Sequence, residues 1–535
     1  MKGDATAAQR DNNTPSEVIV NTQARVPNFD PTLGISVTLD PLIGTCTNKL
    51  VTIGDSISSG FQSGAIHNTR ISWPKIVAAE VGCDIGFRFP LFDGYGGIPL
   101  NIEYLLRALE HKFGAEISWW ELPAAAFELR HQMALIEDYW ERGAGAKPKV
   151  TSAIMHNLSV YGWDIRDALS RTATNLNAAM TAPKDDIFSQ VVENANIRAA
   201  LGVYSSMGVD DTLLDAARKL GEQGALDGGD GNTDALGIET LVVFLGANNV
   251  LGSVTRLKVS WSDTNYNKIG KDKDSYTVWR PSHFESEYLL LVEELKKIKA
   301  RHVILVNVPH VTIAPVARGV AQKVDPKSRY FPFYTRPWVS DSQFSASEDP
   351  HITENQARAI DSAIDQYNEV IAGIVKERRE AGEDWYVLDI AGMMDRVAAR
   401  RYINDISARP AWWTEYELPA ALKNLNPKPD SRFFSSNPNG RIQGGLFSLD
   451  GIHPTTIAYG LIAQEVINIM QLAKVQFYHS DGVTPRQGPV QVDFERLIRQ
   501  DSLISQPPAT LSSDLKTIGW LDETGDFFGK LNPFS

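Results

Sequence analysis

Short runs of apolar and β-branched residues recur along the chain, each followed by a stretch in which apolar residues return every three or four positions. The runs are Lys49-Leu50-Val51-Thr52-Ile53, "KVTSAIMHNLSVYG" from Lys149, "GIETLVVFLGANNV" from Gly237, "HVILVNVP" from His302 and "WYVLDI" from Trp385. Their length and composition predict buried strands. Between them, "NIEYLLRALEHKFG" and "AAAFELRHQMALIEDYWERG" within residues 100–145, the Ala-rich segments of 163–226, and residues 284–300 carry helical spacing. So do residues 353–381, with Ile360, Ile364, Tyr367, Ile371 and Ile374 on one stripe, and "TTIAYGLIAQEVINIMQLA", which ends near residue 473. Strands alternating with helices of this length predict an α/β protein with a central parallel sheet covered on both faces. Ligands in such sheets bind beyond the carboxyl ends of the strands.

Three segments follow from this pattern. Residues 1–47 are polar and predicted extended, 48–475 hold the alternating body with helical insertions near 100–145 and 163–235, and 476–535 form a loop-rich extension lying on that body. With 535 residues, 43% hydrophobic and 22% charged, the chain is long enough to bury a large core. A formal charge of −13 and the lack of Lys/Arg runs argue against a nucleic-acid surface and favour small, uncharged substrates. No run approaches the ~18 apolar residues of a membrane span. The polar N-terminus lacks the apolar core of a secretory signal, which leaves a cytoplasmic protein or an exported one whose signal is already removed. Cys46 and Cys83 allow at most one bridge and have no Cys or His neighbour at metal-ligand spacing, so both read as buried or free thiols.

The stretch "VTIGDSISSG", residues 51–60, puts Ser56 where a strand ends and a helical turn begins. Backbone N–H groups there suit a developing oxyanion, and the same place suits a serine that merely caps the turn. Nucleophilic catalysis also needs a base, a group that orients it, and oxyanion donors. His453, in "FSLDGIHPTTIAYG", has an acid three residues earlier, Asp450, in a Gly- and Pro-containing loop that opens a helix. At that spacing Asp450 can hold one imidazole nitrogen while the other faces Ser56. Gly162 and Asn248, each after a predicted strand, offer a backbone N–H and a side-chain amide.

Taken in order, Gly54-Asp55-Ser56, Gly162 after Asn157, Gly246-Ala247-Asn248 and Asp450-Gly451-Ile452-His453 resemble the four sequence blocks of the SGNH (GDSL-type) hydrolase family, in its larger lipase/esterase-like members. The resemblance implies a three-layer, flavodoxin-like α/β/α sandwich and hydrolysis of a small-molecule or lipid ester. It makes Ser56 the nucleophile, His453 the base, Asp450 its orienting acid, and the N–H groups of Ser56 and Gly162 with the Asn248 amide the oxyanion hole. No metal or organic cofactor is implied. Two positions depart from the family pattern: Asn249 stands where an acid is usual, and Ile57 replaces the common Leu. The same machinery would also serve an acyltransferase or a carbohydrate O-deacetylase, and a hydrolase scaffold without turnover would be a binding module.

Other features read as structural. Asp230, Asn232 and Asp234 alternate as in a calcium loop, but Ala235 and Leu241 stand where such a loop needs Gly and Glu, so a solvated loop is expected. Trp119-Trp120 and Trp412-Trp413 are expected in core or rim packing, and His156 and His310 in structural roles.

Overall fold

The computed structural model describes residues 6, 9–39, 46–118, 120–147, 149, 151, 153–183, 192–223, 237–269 and 275–509. Trp119 and the residues Asp230, Asn232, Asp234 and Ala235 of the calcium-like loop lie outside them. The centre is a five-stranded, all-parallel sheet of β1 (Asn48–Gly54), β2 (Asn157–Ser159), β3 (Ile238–Phe244), β4 (Ala300–Val306) and β5 (Trp385–Leu388), in the spatial order β5-β4-β3-β1-β2. Strands β1 and β3 are buried almost throughout, which is why their sequences read as continuous apolar runs and not as alternation. The one charged pair across them, Lys49 with Glu239 at 3.0 Å, sits near the strand starts, away from the end that matters below.

Helices flank the sheet, an arrangement compatible with three α/β/α layers. Helix α1 (Trp73–Val81) packs on α6 (Thr456–Leu472). A second group contains α2 (Leu213–Glu222), α3 (Pro281–Leu295) and α4 (Glu354–Glu380), with the short Ile165–Ser170 helix joining α2 to α3. Helix α4 starts at a capping box in which Thr353 Oγ1 accepts from the Gln356 N–H and Gln356 reaches back to the Thr353 N–H. After β5, Asp389 caps α5 (Ile390–Val397) by accepting from the Gly392 N–H. Beyond α6, residues 490–503 return Val490, Val492, Phe494 and Leu497 to the main core. No helix among the described residues is long and apolar enough to cross a membrane.

The strand register brings Gly54 level with Ser159 on one side and Phe244 on the other, and Leu388 level with Val306. The segments leaving these ends therefore start from one line. Gly54 is required there for space: a Cβ would lie 2.4 Å from Ser58 Oγ and 3.1 Å from the Phe244 carbonyl oxygen. Gly54→Ala is expected to lower stability by roughly 1–3 kcal/mol through overpacking. Chemical denaturation measures this, and a variant as stable as the parent would show that the strand end yields to the extra methyl.

Candidate active site

Ser56 opens a four-residue helical turn, Ser56–Ser59, directly after β1. The cap of that turn is Asp55, whose Oδ1 accepts from the Ile57 N–H at 3.0 Å. Capping thus falls to the acid before the serine. The Ser56 hydroxyl makes no hydrogen bond among the described residues, although the residue is 95% buried by its 5% exposure. It lines a narrow cavity of about 100 Å³ with Asn248 and His453. The other walls are apolar, among them Leu251, Met393, Met394, Val397, Leu461 and Ile462.

His453 is held from three sides. Its Nδ1 is 2.9 Å from Asp450 Oδ2, its own N–H donates to Asp450 Oδ1 at 2.9 Å, and its ring packs at 4.4 Å against Phe61. Asp450 is itself saturated: the Ile452 N–H and Ser448 Oγ donate to Oδ1, and the Gly64 N–H donates to Oδ2 at 3.0 Å. Burial alone would raise this carboxyl, but His453 and the two backbone donors more than offset it and hold Asp450 below the usual carboxylate range. An ionised Asp450 accepting at Nδ1 fixes the tautomer in which Nδ1 carries the proton and Nε2 is the basic nitrogen. Ser56 Oγ and His453 face one cavity without a hydrogen bond between them in the free protein. Such contacts are often long until substrate closes the site.

Two further segments meet the serine. Asn248 begins the helix Asn248–Thr255 after β3, and its Nδ2 donates to the Trp163 carbonyl at 2.8 Å and, weakly, to Asp55 Oδ2 at 3.4 Å. The Trp163 carbonyl fixes which way the amide points, because a flipped Asn248 would set two acceptors together. Gly162, buried and at φ +75°, immediately precedes Trp163, and its N–H has no partner among the described residues. Asn249 is also buried, and neither its Oδ1 nor its Nδ2 finds a partner among the described residues, so this side chain stands outside the hydrogen bonding around Asn248.

Asp55 is the site residue that sequence reading passed over. Its only clue was its place inside Gly54-Asp55-Ser56. Complete burial pushes its carboxyl up to about 7, against the opposing pull of the Ile57 N–H and of His453. The remaining histidines stand apart from the cavity. His156 accepts from the Arg88 N–H at Nδ1 and contacts Asn48, and burial together with Arg88 pushes it down to about 3. His310 lies between Asp365 and Asp395 at 2.9 and 3.2 Å; burial opposes its charge, but the surrounding Asp395, Asp361 and Asp365 raise it to about 10, which keeps it a cation. Trp120 is 65% exposed, and Trp412 and Trp413 are partly buried; none lines the cavity. Cys46 and Cys83 are free thiols.

Compared with known proteins, the chain matches no family model and no curated sequence. Asp55 makes a prediction independent of any activity. Its folded value of about 7 lies above its ordinary 3.8, so the folded state binds this proton more tightly than the unfolded state. The stability it contributes is complete below about pH 4 and is lost as pH rises to about 7. Relative to Asp55→Asn, the parent protein should lose stability across that window and run parallel to the variant above it. Denaturant titrations of both proteins at several pH values test this, and a pH-independent difference would contradict it.

Proposed function

We propose that the chain is a serine carboxylester hydrolase of the SGNH (GDSL-type) kind, built on a flavodoxin-like sandwich and acting through an acyl-enzyme. The strand order 2-1-3-4-5 supports the flavodoxin-like reading. The observation that carries the function is the shared cavity: an uncommitted serine hydroxyl and a carboxylate-oriented imidazole open onto one apolar space at the carboxyl ends of parallel strands. Ser56 Oγ attacks the ester carbonyl carbon while His453 Nε2 takes the hydroxyl proton. The carbonyl oxygen becomes an oxyanion, met by the N–H groups of Ser56 and Gly162 and by Asn248 Nδ2, which exchanges its weak contact to Asp55 for a stronger one. Collapse breaks the acyl C–O bond, and the alcohol leaves with the proton from His453. Water then repeats the sequence on the acyl-enzyme, releasing the acid and restoring Ser56. Asp450 remains ionised throughout, since its role is to hold the imidazole and balance the imidazolium.

The wall of leucine, isoleucine, valine and methionine suits the acyl half of the ester. Its volume of about 100 Å³ is small beside the ~300–1,000 Å³ of sites for drug-sized ligands, which favours short acyl chains. Across p-nitrophenyl esters, turnover is expected to fall from short chains to palmitate, and a rise with chain length would overturn the size argument. Ser56→Ala should remove both hydrolysis and labelling by a fluorophosphonate probe while melting normally; activity retained in a folded variant would reject the assignment. Asn248→Ala is expected to lower kcat by about 10²–10³-fold, as loss of one oxyanion donor does.

A further inference from the structure

A second cavity, of about 880 Å³, lies behind the turn that carries Asp450 and His453. One segment separates the two spaces. Val311 and Ala314 face the apolar cavity, whereas Thr312, Ile313, Pro315 and Ala317 face the larger one. The Val316 N–H of this segment donates to the Gly451 carbonyl at 3.0 Å, and Gly451 packs against Phe433, another wall of the larger cavity. The polar character of this second space is unlike that of the first. Six cations line it, Arg318, Lys323, Arg329, Arg400, Arg401 and Arg432, against two carboxylates, Asp325 and Asp405, in a chain whose formal charge is −13.

Four of these cations are committed. Arg318 pairs with Asp341 at 2.6 Å, Lys323 with Asp405 at 2.7 Å, Arg401 with Asp361 at 2.9 Å and Arg432 with Asp430 at 2.7 Å. Two are not. Arg329 is 5% exposed, lies over the Tyr330 ring at 5.0 Å and beside Tyr402, and makes no ion pair within 4 Å among the described residues; it lines the cavity although its Nε and Nη2 are covered. Arg400 donates to the Gly319 carbonyl at 2.8 Å, stacks on Phe331 at 4.9 Å and has no carboxylate partner among the described residues. Two guanidinium groups without a carboxylate partner, in a cavity wall where cations outnumber acids six to two, point to an anion that balances them. Burial opposes the charge of Arg400, and Arg318 and Arg432 repel it further, as they would where several cations await one ligand.

We propose that this cavity binds a small organic phosphate, with Arg329 and Arg400 as the principal contacts to the phosphate group. Planar guanidinium groups from two separate segments match the oxygens of a tetrahedral dianion. The volume exceeds that of a bare ion and falls within the range for metabolite-sized ligands, and Phe331, Phe433 and Tyr334 give the organic part apolar wall. The inference is independent of ester hydrolysis, because neither arginine lines the cavity of Ser56.

Calorimetric titration of the full chain with glycerol 3-phosphate, inorganic pyrophosphate and sodium acetate tests it, together with sedimentation on phosphatidylglycerol and phosphatidylcholine vesicles. Saturable binding of a soluble phosphate, weakened at least about tenfold in Arg329→Gln and in Arg400→Gln and unchanged in Ser56→Ala, is the expected result. Binding confined to phosphatidylglycerol vesicles and lost in the same variants would assign the phosphate to a lipid headgroup. Absence of binding to every phosphate probe, equal binding of acetate, or binding unaltered in both arginine variants would overturn the proposal. Arg400 is partly exposed, so Arg400→Gln keeps the test open if Arg329→Gln fails to fold.

Discussion

The geometry of the candidate active site depends on one buried carboxylate. Asp450 receives the imidazole of His453, the backbone N–H groups of Ile452, His453 and Gly64, and the hydroxyl of Ser448. Four of these donors lie within its own turn, but Gly64 lies 386 residues earlier, in the hairpin formed by Phe61–Gln62 and Ala65–Ile66 just after Ser56. Ser448 strengthens the same closure, because its Oγ also accepts from the Ser63 N–H at 2.9 Å. Hydrogen bonds to a charged group contribute about 1.5–3 kcal/mol each, roughly twice a neutral one. The stitch between the start and end of the body is thus made where charge makes it strong. It sets the imidazole on the same cavity as the serine, a relation no local segment could fix.

That division explains what the sequence disclosed and what it withheld. Four of the five sheet strands were legible as short, largely buried apolar runs, β2 (Asn-Leu-Ser) only as part of a longer segment, and the long helices because their stripes span many turns. Ser56, Asp450 and His453 stood out through chemistry type and placement at element ends, and Asp450 with His453 is a contact of sequence-local spacing. The hairpin at Phe61–Ile66 was not legible, since two-residue strands leave no periodicity and "FQSGAI" contains only a glycine to mark its turn. Nor was the work of Asp55, because burial, which gives this carboxyl its properties, arises from the convergence of β1 with the loops that follow β2 and β3. The cationic cavity was hidden for a related reason: its six cations come from three stretches between residues 318 and 432, none of which is a run of charge.

Electrostatics beneath the sheet end follow a different logic from those in the apolar cavity. His310, Arg25 and Arg401 meet Asp361, Asp365, Asp389 and Asp395 in a buried network with nearly every charge paired. Arg25 reaches it from the irregular N-terminal segment and binds Asp389 at 2.6 Å, while the Asn28 N–H binds the other oxygen of the same carboxylate. A segment without regular secondary structure is thereby fixed at the carboxyl end of β5. Losing one partner from such a network leaves a buried charge uncompensated, which is far more damaging than the net value of the pair would suggest. Arg329 is therefore conspicuous: it feels Asp361 and Asp365 through space and lines the cationic cavity, yet makes no ion pair among the described residues.

Asp55 and Asp450, both fully buried near the serine, are driven in opposite directions by their donors. Asp450 has four donors besides the imidazole and stays an anion, whereas Asp55 has one backbone N–H at 3.0 Å and a long contact from Asn248. Neighbouring carboxyl groups with separated affinities for a proton commonly divide labour in active sites. In the proposed mechanism, the fixed anion orients the imidazole without competing for the proton that His453 would take from serine. The neutralisable one sits beside the Asn248 amide, which the same mechanism has release a hydrogen bond to the substrate oxyanion. Protonated Asp55 holds the Asn248 amide less strongly than ionised Asp55 does, so the proton on Asp55 eases the hand-over of that donor to the substrate. On that mechanism, the protonation state of Asp55 is coupled to the availability of the Asn248 amide.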